Sequence, residues 1–260
     1  MDQLNSEQKK ISIVFISQLL MSHERAQSSL LEAMKLFDAI VSRREKLIKD
    51  SRDIISLSAK AIVFVHSSKF DEASGLMDEA RKRLEGLRKI AGADLARYLS
   101  TPEQEFVECS VFFSVSRGKE IPSRRLLRVS PSSYVLGMLD AIGELKRAVY
   151  DRIRKDQFDD VERIFAAMEN LYLALSPFSI YDNIAPGVKR KLDVSRILIE
   201  DTRATVTEEA RRRNLIGAIN DLATRLGEPL VKPAPRNIVN RDSLEKTAGA
   251  DEITDELMQE

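Results

Sequence analysis

From Glu24 to Ser68 the chain carries neither glycine nor proline, and apolar residues recur through Leu30, Met34, Phe37, Ile40 and Val41 at the spacing of one helix face. This run predicts one long N-terminal helix with at most one break. Ten glycines and eight prolines among 260 residues leave few places for the turns of a sheet protein. The expected class is therefore all-α, a single-domain bundle of six or seven helices around one core.

The remaining helices follow from their punctuation. A second is expected over about 70–90, with Leu76, Met77, Ala80, Leu84 and Leu87 on one stripe, turning at Gly92. Thr101-Pro102 reads as an N-cap followed by proline at the first helical position, opening a helix to about Ser116. The segment from Arg117 to Pro131 reads as a basic connector or short helix. Ser130 or Ser132 starts the next helix, to about Lys155. Asp156 opens another, stopped by Ser176-Pro177, and a last long one runs from Pro186-Gly187 to Leu226.

Beyond Gly227 come Pro229, Pro233 and Pro235, and residues 228–260 hold eight acidic side chains against four basic ones. This composition predicts a disordered acidic tail. At the other end, Ile11 to Met21 is an apolar run that is too short to span a bilayer and lacks a signal-peptidase pattern. It reads as helix, and Met21 is an alternative start. The expected organisation is an extension over 1–21, a helical domain over 22–227 and a tail over 228–260.

Several kinds of chemistry are excluded. One cysteine and two histidines cannot build a disulfide framework or a zinc finger, and no glycine-rich nucleotide loop is present. His23 and His66 stand apart in the sequence, which argues against paired-histidine acid/base work. Carboxylates remain.

Two carboxylate pairs interrupt apolar helix. Glu105 and Glu108 have no basic residue within a turn on their own helix, and Asp140 and Glu144 carry the only charges from Ser132 to Leu145. Spacings of three and four residues put each pair on one helix face, with Cβ atoms about 5–6 Å apart. On neighbouring antiparallel helices the four would converge, and like charges at about 6 Å repel by roughly 3 kcal/mol at an effective dielectric near 20. A hard divalent cation answers that repulsion: Mg²⁺ where phosphate is the substrate, with Mn²⁺ as the alternative. The other reading is a structural ion-pair network, in which Arg147 neutralises Asp140 and Glu144 from the same face. Gly137 and Gly143, inside this helix, read as close-packing positions.

Ser51-Arg52-Asp53-Ile54 with Lys60, then Glu105-x-x-Glu108, then Arg128-Val129-x-Pro131-x-x-Tyr134-x-Leu136-Gly137-x-x-Asp140-x-x-Gly143-Glu144-Leu145, resemble the translin and translin-associated factor X family in order and spacing. The match lies nearest its catalytic, archaeal-like members and spans about residues 25–215. The resemblance implies a cytoplasmic, Mg²⁺-dependent endoribonuclease acting on single-stranded RNA, with Glu105, Glu108, Asp140 and Glu144 as catalytic metal ligands. It also implies phosphate contacts from Arg52 and Lys60, affinity that extends to single-stranded DNA, and a homo-oligomer such as the family's closed octameric shells, with no membrane partner. A silent nucleic-acid-binding protein of the same fold is the alternative. The connector from Arg117 to Arg128 is shorter than the insertion carried by animal relatives.

Overall fold

The computed structural model describes residues 24–227, so the expectations for 1–21 and 228–260 lie outside the described residues. The described chain falls into two compact units, 24–209 and 210–227. Among the described residues every regular element is helical, and no helix is long and apolar enough to cross a membrane. The α-helices are α1 (Glu24–His66), α2 (Phe70–Ala91), α3 (Ser100–Ser116), the single turn α4 (Arg124–Leu127), α5 (Pro131–Arg154), α6 (Phe158–Leu175) and α7 (Val188–Leu226). Helical 3-10 turns at Ala96–Leu99 and Ser176–Tyr181 precede α3 and follow α6.

Helix α1 is unbroken over 43 residues, as the absence of glycine and proline requires. It tracks α3 in the same direction: Arg43 pairs with Asp94, Arg44 donates to Tyr98 at 2.7 Å, and His66 lies against Phe112. Helix α2 runs back, joining α1 through Arg83 and Asp53 at 2.7 Å and reaching the start of α3 through Arg88 and Glu103. Helix α5 again follows α3, since Ser133 donates to the Ser100 carbonyl and Gly137 rests on Gln104 and Val107. The two acid-bearing helices are therefore co-directional, not antiparallel. Residues 117–130 carry the chain back between them.

That crossover is pinned at its far end. Glu103, 4% exposed, accepts from the backbone amide of Ser130 at 2.9 Å, and the Tyr134 hydroxyl donates to the Pro122 carbonyl at 3.0 Å. Ser130 caps α5 by accepting from the Ser133 amide at 3.1 Å, with Pro131 at the first helical position. Phe106, Val107 and Phe112 of α3 pack with Ile142 and Leu145 of α5, Ile164 and Met168 of α6, and Ile54 and Val65 of α1 in one core. Burial of these side chains, each contributing about 1.5–3 kcal/mol, holds α3 and α5 side by side.

Two expected caps differ. The chain enters α3 from the 3-10 turn already in helical conformation, with Leu99 at φ −83° and ψ −15°, so Thr101 has no break to cap and Pro102 sits within the first turn. Asp156 closes α5 instead of opening α6. It takes the left-handed conformation at φ 56°, and the amides of Asp156 and Gln157 donate back to Ile153 and Arg152 in a Schellman turn. The same turn ends α1 at Ser68 and α3 at Gly118.

In the second unit, 210–227, the helix presents exposed Leu215, Ile216, Ile219, Leu222 and Leu226. It ends at Gly227, φ 71°.

Candidate functional site

Glu105 and Glu108 project from the middle of α3 and Asp140 and Glu144 from the middle of α5, so packing of these two helices makes the four carboxylates electrostatic neighbours. The close approach depends on Gly137. A Cβ there would stand 2.6 Å from the Gln104 carbonyl oxygen and 2.7 Å from Val107 Cβ, closer than real atoms come. Gly143 is different, because nothing lies within 4 Å of the corresponding point. Close packing explains the first glycine and not the second.

The four acids experience different surroundings. Burial pushes the Glu108 carboxyl up to about 8, and the charges of Glu105, Asp140 and Glu144 push in the same direction. Glu105 is raised first by burial and then by Asp140. The Lys191 ammonium, from the first turn of α7, opposes both shifts. It forms an ion pair with Asp140 and donates to Gln104 Oε1 at 3.3 Å. Glu144 moves the other way: a hydrogen bond from His66 holds it below the usual carboxylate range, against the opposing effect of burial.

His66 is the last residue of α1 and is 8% exposed. Its Nε2 lies 2.6 Å from Glu144 Oε2, its Nδ1 faces Asp151 Oδ2 at 3.5 Å, and its ring lies 4.6 Å from that of Phe112. Arg147 Nη1 is 4.0 Å from Glu144, so the local partner expected for that acid lies farther from it than His66 does. Neither His66 nor Lys191 had a local signal. They reach the carboxylates from 78 and 51 positions away in the chain.

Arg52 and Lys60 lie on exposed positions of α1. Counting along the helix at 1.5 Å per residue, Lys60 is about 9 Å and Arg52 about 21 Å before His66 along the axis. Neither is among the groups that shift the Glu105, Glu108 or Glu144 carboxyls.

An all-oxygen set with excess negative charge is the chemistry that hard divalent cations select. In charge the set suits such an ion, since burial and three neighbouring acids already hold the Glu108 carboxyl up. Geometry fits less closely. Among the described residues no three His, Cys, Asp or Glu side chains stand together as a ready metal cage, and Asp140 and Glu144 are engaged by Lys191 and His66.

Residues 42–200 match the model of the Translin family. The chain belongs to the Translin family. Within it, an uncharacterised protein of Methanocaldococcus jannaschii is 35% identical over 168 residues, covering 64% of this chain and 75% of that relative. Translin-associated protein X of Pongo abelii is 26% identical over 200 residues, covering 60% of this chain and 68% of its own. Among solved structures, AfC3PO superposes with a TM-score of 0.66 at 28% identity, covering 71% of this chain and 98% of that one. Its complex with duplex RNA gives 0.65 at the same identity and coverage. Apo-NeC3PO, at 18% identity and a TM-score of 0.62, shares the fold of this Translin-family chain.

Proposed function

We propose that this Translin-family chain is a divalent-cation-dependent endoribonuclease that cuts single-stranded RNA, with Glu105, Glu108, Asp140 and Glu144 holding Mg²⁺ or Mn²⁺. The observation that carries the reading is the Glu108 carboxyl, raised to about 8 by burial and then by the three other acids that helix packing gathers around it. A solvated helix face has no such crowding. Mg²⁺ bound by these groups would supply the charge that activates a water and stabilises the leaving oxygen. The chain's own residues do the rest. Helices α3 and α5 hold the acids on two rigid faces, while Arg52 and Lys60 meet RNA phosphates along α1.

The RNA assignment draws on AfC3PO, solved with duplex RNA at 28% identity to this chain. Strand preference and affinity for single-stranded DNA are part of the same proposal, as are a cytoplasmic location and assembly into a homo-oligomer such as an octamer. A silent nucleic-acid-binding protein is the second reading. It is favoured by Asp140 and Glu144 having Lys191 and His66 as partners in the described arrangement.

Incubating the purified chain with labelled single-stranded and duplex RNA, in Mg²⁺, Mn²⁺ or EDTA, separates the readings. Cleavage of the single strand that EDTA abolishes is expected. Retarded but intact RNA in every lane selects the silent protein, and mass photometry on the same preparation gives the oligomer.

A further inference from the structure

Each group around His66 has a definite place. The ring is the last residue of α1, wedged against Phe112 of α3 with its two nitrogens directed at two carboxylates of α5, Glu144 and Asp151. Those acids stand seven residues apart, two turns along one face, and both side chains reach toward the ring. Arg154 approaches Asp151 from the same helix at 3.7 Å, so that carboxylate is shared. At 2.6 Å Nε2 and Glu144 Oε2 share one hydrogen, and the tautomer that carries it on Nε2 donates it to the carboxylate.

We infer that His66 is the positioning residue of the carboxylate site, fixing Glu144 through an Nε2–H donor while packing against Phe112 holds the ring in place. The inference rests on the reading of Glu144 as a cation ligand. A glutamate has three side-chain torsions, and a free one would sample many orientations beside its ion. A donor built into the end of a long helix removes that freedom. It uses one oxygen of Glu144 and leaves the other for the ion. Carboxylate ligands are commonly oriented by such a partner, whose loss weakens metal affinity by about 10–100-fold. The arrangement also ties the site to α1, the helix that carries Arg52 and Lys60. Displacement of the end of α1 would disturb Glu144 directly.

The test measures ion binding without RNA turnover. Mn²⁺ affinity is read by electron paramagnetic resonance or calorimetry on the full chain and on His66→Phe and His66→Gln. Phenylalanine keeps the packing on Phe112 and loses the donor, whereas glutamine can still donate from its amide. The expected result is about 10–100-fold weaker Mn²⁺ binding for His66→Phe and recovery to within roughly threefold of the parent for His66→Gln. Melting curves on the same samples confine the comparison to folded protein. Equal affinity in the parent and a folded His66→Phe overturns the inference. So does equal weakening by both substitutions, which would mark a structural role. A parent chain that binds no Mn²⁺ overturns instead the reading of the carboxylates as a cation site.

Discussion

The ammonium of Lys191, on the first turn of α7, is paired with the carboxylate of Asp140 in the middle of α5. It is the cation that offsets the charge acting on Glu105 and Glu108. Under the proposed reading a divalent ion and this ammonium would answer the same negative charge and compete for Asp140.

Replacing Lys191 by methionine should therefore have opposite effects on fold and site. In EDTA the variant is expected to lose about 2 kcal/mol of stability, the scale of a hydrogen bond to a charged group. Its affinity for Mg²⁺ should rise, so saturating Mg²⁺ narrows the gap in melting temperature between variant and parent. A gap that widens on adding Mg²⁺ would show that Lys191 helps to build the ion site.

Glu108 gives the protein a pH dependence of definite sign. Its carboxyl lies at about 8 in the fold against 4.5 for the ordinary group, so between these values the folded chain holds a proton that the unfolded chain has released. Stability must fall as pH rises through that window, by an amount bounded at about 5 kcal/mol, and the full penalty is present above it. Urea midpoints in EDTA from pH 5 to 8.5 should fall more steeply for the parent than for Glu108→Gln. Identical slopes would mean that Glu108 is better solvated than its surroundings indicate.

The same Glu108→Gln protein should be at least as stable as the parent at pH 8 and yet cleave RNA about 100-fold more slowly or worse, the loss typical of removing one electrostatic stabiliser. RNA binding by filter retention should persist, since it rests on basic contacts to phosphate. Undiminished cleavage by a folded Glu108→Gln chain would remove Glu108 from the catalytic set.

The two glycines of α5 should respond in opposite directions. Gly137→Ala sets a methyl against the Gln104 carbonyl and Val107, so the helices must part, at a cost on the order of 1–3 kcal/mol. Gly143→Ala meets open space inside a helix and should gain about 1 kcal/mol. Chemical denaturation of the two variants tests the pair.

Much of this molecule was legible in its sequence, and the limits have physical causes. The length of α1 follows from the absence of breakers, and the start of α5 follows from Ser130-Pro131, because caps and helix interiors are local matters. The acids stood out because apolar neighbours isolate a charge wherever its helix packs. Thr101 misled because the residue before α3 is already helical, a state inherited from the preceding 3-10 turn. Asp156 misled because the residue type that begins helices also tolerates the left-handed turn that ends them. His66 and Lys191 were hidden because their partners lie on other helices, at separations that spacing rules do not reach. The relative direction of α3 and α5 was hidden for the same reason.

The crossover from Arg117 to Ser130 has a consequence for how such a chain can diversify. Its near end is closed by the turn at Gly118, its far end by Glu103 on the Ser130 amide and Arg88 on the Leu127 carbonyl, and the residues that follow the turn, Lys119 and Glu120, are exposed. Because closing a longer loop raises the entropy penalty only logarithmically, about 0.6 kcal/mol for each doubling, extra residues inserted after Gly118 would leave α3 and α5 in register. The chain can therefore lengthen at this end of the bundle without disturbing the frame that aligns the acids.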